Sequence, residues 1–346
     1  NMAMLDVLPD TDQGGVDPST LRVGVLAHIF YPDMADELLD LADRLPGGYT
    51  LVATTTTEEK REQILQVLVA RGRTGDEVRV VPSNRGRDIT AFLIACRDVL
   101  ASDRFDVVVK LHTKRSPQAG FNRARHFRSL LFDNLLHSEG YATNALRLFA
   151  EHPSLGMAFP PMVHRGYPTL GRAWFTNRPA AEKLAERLGI DIVFDDVSPV
   201  AAYGSMFFAR PAALAPLVDA DLRFEDFPDE GGYADGGMAH VVERLFAYAA
   251  ISEGYQVRTI MTTDHAAQSH TSLQYKLEEM LQHVPGEPWE QLAQGRRSGS
   301  GAGSEGVVLG IRIIGRSVAR QNRVSARVTY ELLRVAKAAR RRLRRR

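Results

Sequence analysis

The segment RFDVVVKLHTKRS, residues 104–116, decides how the rest of the chain is read. Residues 105–109 are mostly apolar and β-branched, the character of a central strand covered on both faces. Lys110, His112 and Lys114 follow, and in an extended chain such alternating positions share one face. Three potential cations on one face repel each other unless an anion sits among them. A phosphate or diphosphate meets that need; a solvated strand end is the plainer alternative. The carboxyl end of a buried strand is also where open α/β sheets bind ligands.

Working outward, residues 21–30, 49–55 and 77–82 read as three earlier strands, with helices over 35–45, 58–71 and 89–100. This β-α alternation with short links predicts an α/β fold: one mainly parallel sheet with helices on both faces. Right-handed crossovers bring the four strand ends to one edge. The second half is less regular. Helices are expected over 122–137, 141–151, 179–188, 211–218 and 238–249, and strands over 155–159, 205–209 and 255–261. Residues 165–174 and 224–237 read as loops.

Residues 1–20 read as a flexible lead-in and 21–290 as the folded domain, with a donor half (21–120) and an acceptor half (121–290). Residues 295–306, GRRSGSGAGSEG, read as a flexible linker. Residues 307–346 form a basic tail with 13 Lys or Arg against one acid, Glu331. The remainder carries 30 basic and 41 acidic residues. The net charge of +1 therefore hides a mildly acidic body and a strongly basic end.

The single Cys96 excludes an internal disulfide and lies in an apolar helical run, where it reads as core filler. No run of about 18 apolar residues predicts a membrane span. The chain carries no Walker-type loop, no G-x-S-x-G elbow, no G-x-G-x-x-G fingerprint and no zinc spacing. The common nucleotide hydrolases, serine hydrolases and dinucleotide oxidoreductases are thereby disfavoured.

Two further stretches carry chemistry. Asn84-Arg85-Gly86-Arg87-Asp88 joins a strand to a helix. Gly86 permits a tight turn, Asp88 can cap the helix or orient Arg87, and Arg85 and Arg87 offer planar donors suited to phosphate. In residues 224–244, Glu225, Asp226, Asp229, Glu230 and Asp235 crowd a glycine-rich loop, followed by His240, Glu243 and Arg244. Crowded carboxylates raise one another's pKa, which suits a general base. Clustered oxygens could also hold a hard cation, but no D-x-D stands at the end of the fourth strand, so no metal is expected.

Taken in order, these pieces resemble the rhamnan synthesis F family over about residues 22–256. The resemblance rests on His28-Ile29-Phe30-Tyr31, Thr54-Thr55, Asn84 to Asp88, Lys110-Leu111-His112-Thr113-Lys114 and Gly204-Ser205-Met206-Phe207-Phe208-Ala209-Arg210-Pro211. Phe227-Pro228 with Glu230, and Asp235-Gly236 with Ala239-His240 and Glu243-Arg244, extend it. Gly237-Met238 departs from it, because members often carry Thr after Asp-Gly.

The resemblance implies a GT-A-like glycosyltransferase, typically a rhamnosyltransferase of bacterial cell-surface polysaccharide such as O-antigen or lipopolysaccharide, using a donor such as dTDP-rhamnose. On that reading His28, Thr54, Asn84, Arg85, Gly86 and Asp88 lie around the donor. Arg87, Lys110, His112 and Lys114 meet its diphosphate in place of a metal. Asp235 or Glu230 deprotonates the acceptor, with His240 as the next candidate, and a single base favours inversion. Ser205, Met206, Glu243 and Arg244 lie on the acceptor side.

The expected partners are a nucleotide-sugar, a lipid-linked acceptor and an anionic membrane surface; no nucleic acid is expected. The expected location is cytoplasmic and peripheral, on the inner face of the membrane. Val324, Val328, Leu332, Val335 and Ala339 form one helical stripe flanked by basic residues, which suits such a surface. A non-catalytic, sugar-binding scaffold recruited to a membrane complex is the alternative from another class.

Overall fold

The computed structural model describes residues 3–114, 121–163, 169, 173–196, 198–229, 235–272, 287 and 290. The linker at 295–306, the basic tail and Glu230 lie outside the described residues.

Eight strands form one sheet: β1 (Met4–Leu8), β2 (Val23–His28), β3 (Thr50–Thr55), β4 (Glu77–Val80), β5 (Val107–His112), β6 (Leu155–Phe159), β7 (Phe207–Ala209) and β8 (Gln256–Thr262). Their order is β1-β8-β6-β7-β5-β2-β3-β4. All pairings are parallel except those of β7, which runs antiparallel to both β5 and β6.

The helices come where the sequence supplies their signals. In α2 (Glu58–Ala70), the Thr57 side chain accepts from Lys60 N, and Glu58 and Glu59 occupy the first turn. α7 (Arg178–Leu188) begins with a proline and ends at Gly189 with φ 68°. α1 (Ala35–Ala42), α5 (Phe121–Leu136), α6 (Glu139–Glu151) and α9 (Met238–Ser252) complete the longer set. The expected helix over 89–100 is split into α3 (Asp88–Leu93) and α4 (Arg97–Leu100).

Alternation along the strands sorts the core into two layers. Leu26, Val52, Val108 and Phe207 pack with Phe92, Leu245 and Phe246 on one face. Val25, Ala53, Val109 and Phe208 pack with Leu38, Leu131 and Phe149 on the other. Helices therefore cover both faces, as expected, and strands from before and after residue 120 join this one sheet.

The lead-in expectation needs correction. β1 extends the sheet by pairing with β8, from Met4↔Arg258 to Leu8↔Thr262. The chain after it is also tied down. Asn144 Nδ2 donates to the carbonyls of Pro9 (3.1 Å) and Thr11 (2.9 Å), and Arg147 Nε donates to that of Val16 (3.1 Å). The sequence hides this strand because Met4, Leu5 and Val7 are exposed on the sheet edge.

Contacts divide the chain into two units. The first holds residues 1–169 and 174–265 and contains the whole sheet. The second holds residues 170–173 and 266–346; its described part includes a π-helical turn over Ala267–Ser272. Among the described residues no helix is long and apolar enough to cross a membrane.

Strand order places a topological switch point. From β2 the chain moves outward to β3 and β4, then returns to β5 on the other side of β2. The carboxyl ends of β2 and β5 thus flank a topological switch point, the place where open α/β sheets leave a crevice.

Candidate functional site

Pairing registers His28 against His112 at that switch point, and His28 also against Thr54 on β3. All three side chains are buried. His28 Nδ1 lies 3.0 Å from Thr54 Oγ1. Thr113 N donates to the His28 carbonyl (3.0 Å), and Tyr31 N to Thr113 Oγ1 (3.2 Å), which laces the two strand ends together. Burial lowers the His28 pKa to about 4 and that of His112 to about 3. Both imidazoles are therefore neutral near pH 7.

Lys110 is 1% exposed, in a position where an unpaired ammonium would be very costly. Its Nζ reaches Asp88 Oδ2 at 2.5 Å, the Ser205 carbonyl at 2.8 Å and Ser205 Oγ at 3.3 Å. Ser205 Oγ also donates to Asp88 Oδ2 (2.5 Å). Burial pushes the Asp88 carboxyl up, but His112, Lys110 and hydrogen bonds from Lys110 and Ser205 hold it well below the usual range.

This corrects two expectations. The anion among the strand-end cations is Asp88, so Lys110 is satisfied within the protein. Asp88 pairs with that lysine rather than capping its helix, whose N-cap is Arg87.

The turn before α3 is tightly built. Gly86 has φ +72°, and a Cβ there would lie 2.4 Å from Thr90 Cγ2 and 2.7 Å from Phe227 Cδ1. Arg85 Nη2 meets Asp229 Oδ1 at 2.5 Å, tying the turn to the acidic loop. The Asn84 side chain lies close enough to His28 to oppose the lowering of its pKa. Arg87 is exposed, with φ 53°, a left-handed conformation that costs a non-glycine residue on the order of 1–3 kcal/mol.

Lys114 is half-buried, its ammonium 4.4 Å from the centroid of the Phe127 ring. Burial lowers its pKa; Glu243 and Asp88 oppose this, while Lys110 and Arg87 reinforce it. Lys114 thus lies within electrostatic reach of Glu243, Asp88, Lys110 and Arg87. Sequence reasoning missed Lys60, from the first turn of α2. Its Nζ stands 3.5 Å from the Phe30 ring centroid and its charge acts on His28. Its signal was its place just after the end of β3.

The acceptor-side residues separate. Ser205 belongs to the Asp88 cluster. Met206 is wholly buried in the core beneath the sheet, so it is a packing residue there. Glu243 accepts from Gly204 N (2.9 Å) and pairs with Arg244, which is 3% exposed and stacks on Tyr203 at 4.0 Å. The field of Asp235 reaches Tyr203 as well.

Asp235 accepts from Thr176 N (3.0 Å), Thr176 Oγ1 (2.7 Å) and Asn177 Nδ2 (2.7 Å). Burial raises its pKa, but those donors and His240 lower it further, so the net shift is downward. Crowded acids led the sequence to suggest the opposite direction. His240, half-buried in the first turn of α9, lies within the field of Asp235. Among the described residues no group of three or more His, Cys, Asp or Glu side chains could hold a metal ion.

Residues 3–255 match the family described as rhamnan synthesis protein F. Two proteins from strains of Xanthomonas campestris pv. campestris, each described as uncharacterized protein WxcX, are 31% identical over 245 residues. That alignment covers 69% of this chain and 33% of theirs, so the chain spans a third of the length of the curated relatives it matches. A solved structure of CMP:2-keto-3-deoxy-manno-octonic acid synthetase complexed with CTP aligns with 74% of this chain and 99% of its own, at 11% identity and a TM-score of 0.33. The chain belongs to the rhamnan synthesis protein F family.

Proposed function

We propose that this member of the rhamnan synthesis protein F family is a GT-A-like glycosyltransferase, moving a sugar from a nucleoside diphosphate donor onto a growing cell-surface polysaccharide. The observation that carries this is the β2/β5 switch point, where the carboxyl strand ends bring Lys114 and the neutral imidazoles of His28 and His112 together with the Arg87 turn. Rhamnose is the sugar that the family's description as rhamnan synthesis protein F supports, and dTDP-rhamnose is the donor we favour. A lipid-linked chain is the acceptor we favour.

In the step itself, an acceptor hydroxyl oxygen attacks the anomeric carbon while the bond from that carbon to the diphosphate oxygen breaks. The nucleoside diphosphate leaves with the electron pair, and its added charge is met by Arg87 and Lys114. Lys110 is committed to Asp88 and keeps the floor of the crevice near neutral. His28, Thr54 and Asn84 line the side of the crevice where the nucleoside lies.

The acceptor proton goes to a base on the α9 side. Asp235, held by three donors and lowered in pKa, is better suited to stabilising a neighbouring cation than to taking a proton. His240 lies close enough to the Asp235 carboxylate to act on it. We therefore assign the base to His240, with Asp235 orienting it; Glu230 is the alternative. One base on the face opposite the leaving group gives inversion.

A thermal-shift screen of nucleotide-sugars tests the assignment. A ligand that binds only the folded chain raises the melting temperature. A shift with a nucleoside diphosphate sugar is expected, strongest with dTDP-rhamnose and unchanged in excess EDTA. No shift with any donor would favour the scaffold alternative.

A further inference from the structure

Between two anchored neighbours, the segment 174–177 turns one aromatic ring outward. Trp174 is buried; its ring lies parallel to that of Tyr248 with 6.0 Å between centroids, and its Nε1 donates to the Asp195 carbonyl at 2.6 Å. Asn177 is fully buried. Phe175, between them, is 39% exposed, and among the described residues it packs into neither core layer.

A single exposed apolar side chain is ordinary on a protein surface. The backbone beneath this one is not. Phe175 has φ 50°, a left-handed conformation that is a genuine outlier for a bulky residue. Such conformations persist only where the surroundings over-determine them, and they cluster at functional sites. Here the ring gains little burial in return for the strain, so packing does not explain it.

Asp235 holds this backbone in place. Its Oδ2 accepts from Thr176 N (3.0 Å) and Thr176 Oγ1 (2.7 Å), and its Oδ1 from Asn177 Nδ2 (2.7 Å). Asn177 Oδ1 accepts from Gly236 N (3.0 Å), and Asn177 Nδ2 also donates to the Trp174 carbonyl (3.0 Å). Gly236 has φ +85°, and a Cβ there would lie 2.9 Å from Thr176 Oγ1, so the two sides of this clamp are in contact.

The clamp sets Phe175 at the amino end of α9, whose N-cap is Gly237. Farther along the same helix, after about 9 Å of axial rise, Glu243 accepts from Gly204 N (2.9 Å). Ser205 follows Gly204, and its carbonyl accepts from Lys110 on β5 (2.8 Å). The first turns of α9 thus run from the clamp to the switch point, an interval that an oligosaccharide can bridge. The chemistry of the ring selects such an occupant. An aromatic face is electron-rich, and a pyranose turns polarised C–H bonds to one face and its hydroxyls outward. The C–H face lies flat on the ring through weak C–H···π contacts.

We propose that Phe175 is a stacking platform for a pyranose ring of the saccharide acceptor, held outward by the clamp of Asp235 on Thr176 and Asn177. The proposal rests on the reading of this site as a glycosyltransferase and names where its acceptor binds.

The test uses the full chain, titrated calorimetrically with a rhamnose trisaccharide and, separately, with dTDP-rhamnose, alongside melting temperature. Phe175→Gly removes the ring and relieves the left-handed φ, whereas Phe175→Tyr keeps an aromatic face. We expect Phe175→Gly to bind the trisaccharide about three- to tenfold more weakly, with unchanged affinity for dTDP-rhamnose and a melting temperature no lower than that of the original chain. Phe175→Tyr should keep trisaccharide affinity within about twofold.

Equal trisaccharide affinity in Phe175→Gly and the original chain would overturn the platform. So would a lower melting temperature in Phe175→Gly, which would make the ring a packing residue. If the original chain binds dTDP-rhamnose but not the trisaccharide, the platform falls and the transferase reading stands. If it binds the trisaccharide through Phe175 but no nucleotide-sugar, the platform stands as a saccharide site and the transferase reading falls. Binding of neither would overturn both.

Discussion

His28 and His112 are buried as neutral imidazoles, so protonating them opposes folding. Their folded pKa values, about 4 and about 3, lie below the unfolded value of about 6.5. Between those limits the unfolded chain binds more protons than the folded one, so stability falls as pH drops from about 6.5 toward 4. Asp88 adds a second loss with the same sign. Its carboxyl is depressed, so its contribution is present above about pH 4 and disappears below it. Melting temperature measured from pH 7.5 to 4.5 should therefore decline, and His112→Asn should flatten the decline. An equally steep slope in that variant would contradict the assignment of His112 as buried and neutral.

The Lys110–Asp88 pair makes a second prediction at this scale. Lys110→Met leaves a buried carboxylate without its ammonium and should cost roughly 3–5 kcal/mol in denaturant unfolding. Adding Asp88→Asn should recover most of that loss. A single variant as stable as the original chain would show that the ion pair contributes nothing to the fold.

Among the elements, the turn before α3 is the least tolerant of change. Gly86→Ala combines a left-handed φ with contacts that a Cβ cannot make without displacing Phe227. It should destabilise by on the order of 1–3 kcal/mol, read as a lower denaturant midpoint. A near-neutral result would mean that the turn can relax. Much of the element pattern was legible in the sequence. Val107 to His112 stood out through its apolar run, and α2 and α7 through their capping residues. β7 was legible as a strand but not as antiparallel, because three residues carry no sign of direction. β1 was missed because an edge strand buries little, and the break at residues 94–96 has no proline or glycine to announce it.

The site was legible in composition but not in connectivity. The motifs named His28, Thr54, Asn84, Arg87, Lys110, His112 and Lys114, which the fold carries to the ends of β2, β3 and β5 and the turn before α3. Nothing local to residues 104–116 revealed that the anion Lys110 needs lies 22 residues upstream. An almost fully buried lysine implies a partner, but its identity is a tertiary fact. The direction of the Asp235 pKa was misjudged for the same reason, since Thr176 and Asn177 come from a distant loop.

For the whole molecule, the unequal charge distribution bears on where the protein works. We propose that the basic stripe at 307–346 brings the acidic body to an anionic membrane, each basic residue contributing about 1 kcal/mol near such a surface. Flotation should recover the full chain with anionic liposomes at low salt, and a chain ending at Gly295 should stay behind. Equal flotation of the two would rule out the anchor. The central claim, that the β2/β5 crevice holds a nucleotide-sugar diphosphate, is tested most directly by calorimetric titration of dTDP-rhamnose in EDTA into the original chain, Arg87→Ala and Lys114→Ala. Each lost charge-assisted contact is worth roughly 1.5–3 kcal/mol, so each variant should bind about ten- to a hundredfold more weakly while keeping its melting temperature. Unchanged affinity in both variants, or no binding by the original chain, would contradict it.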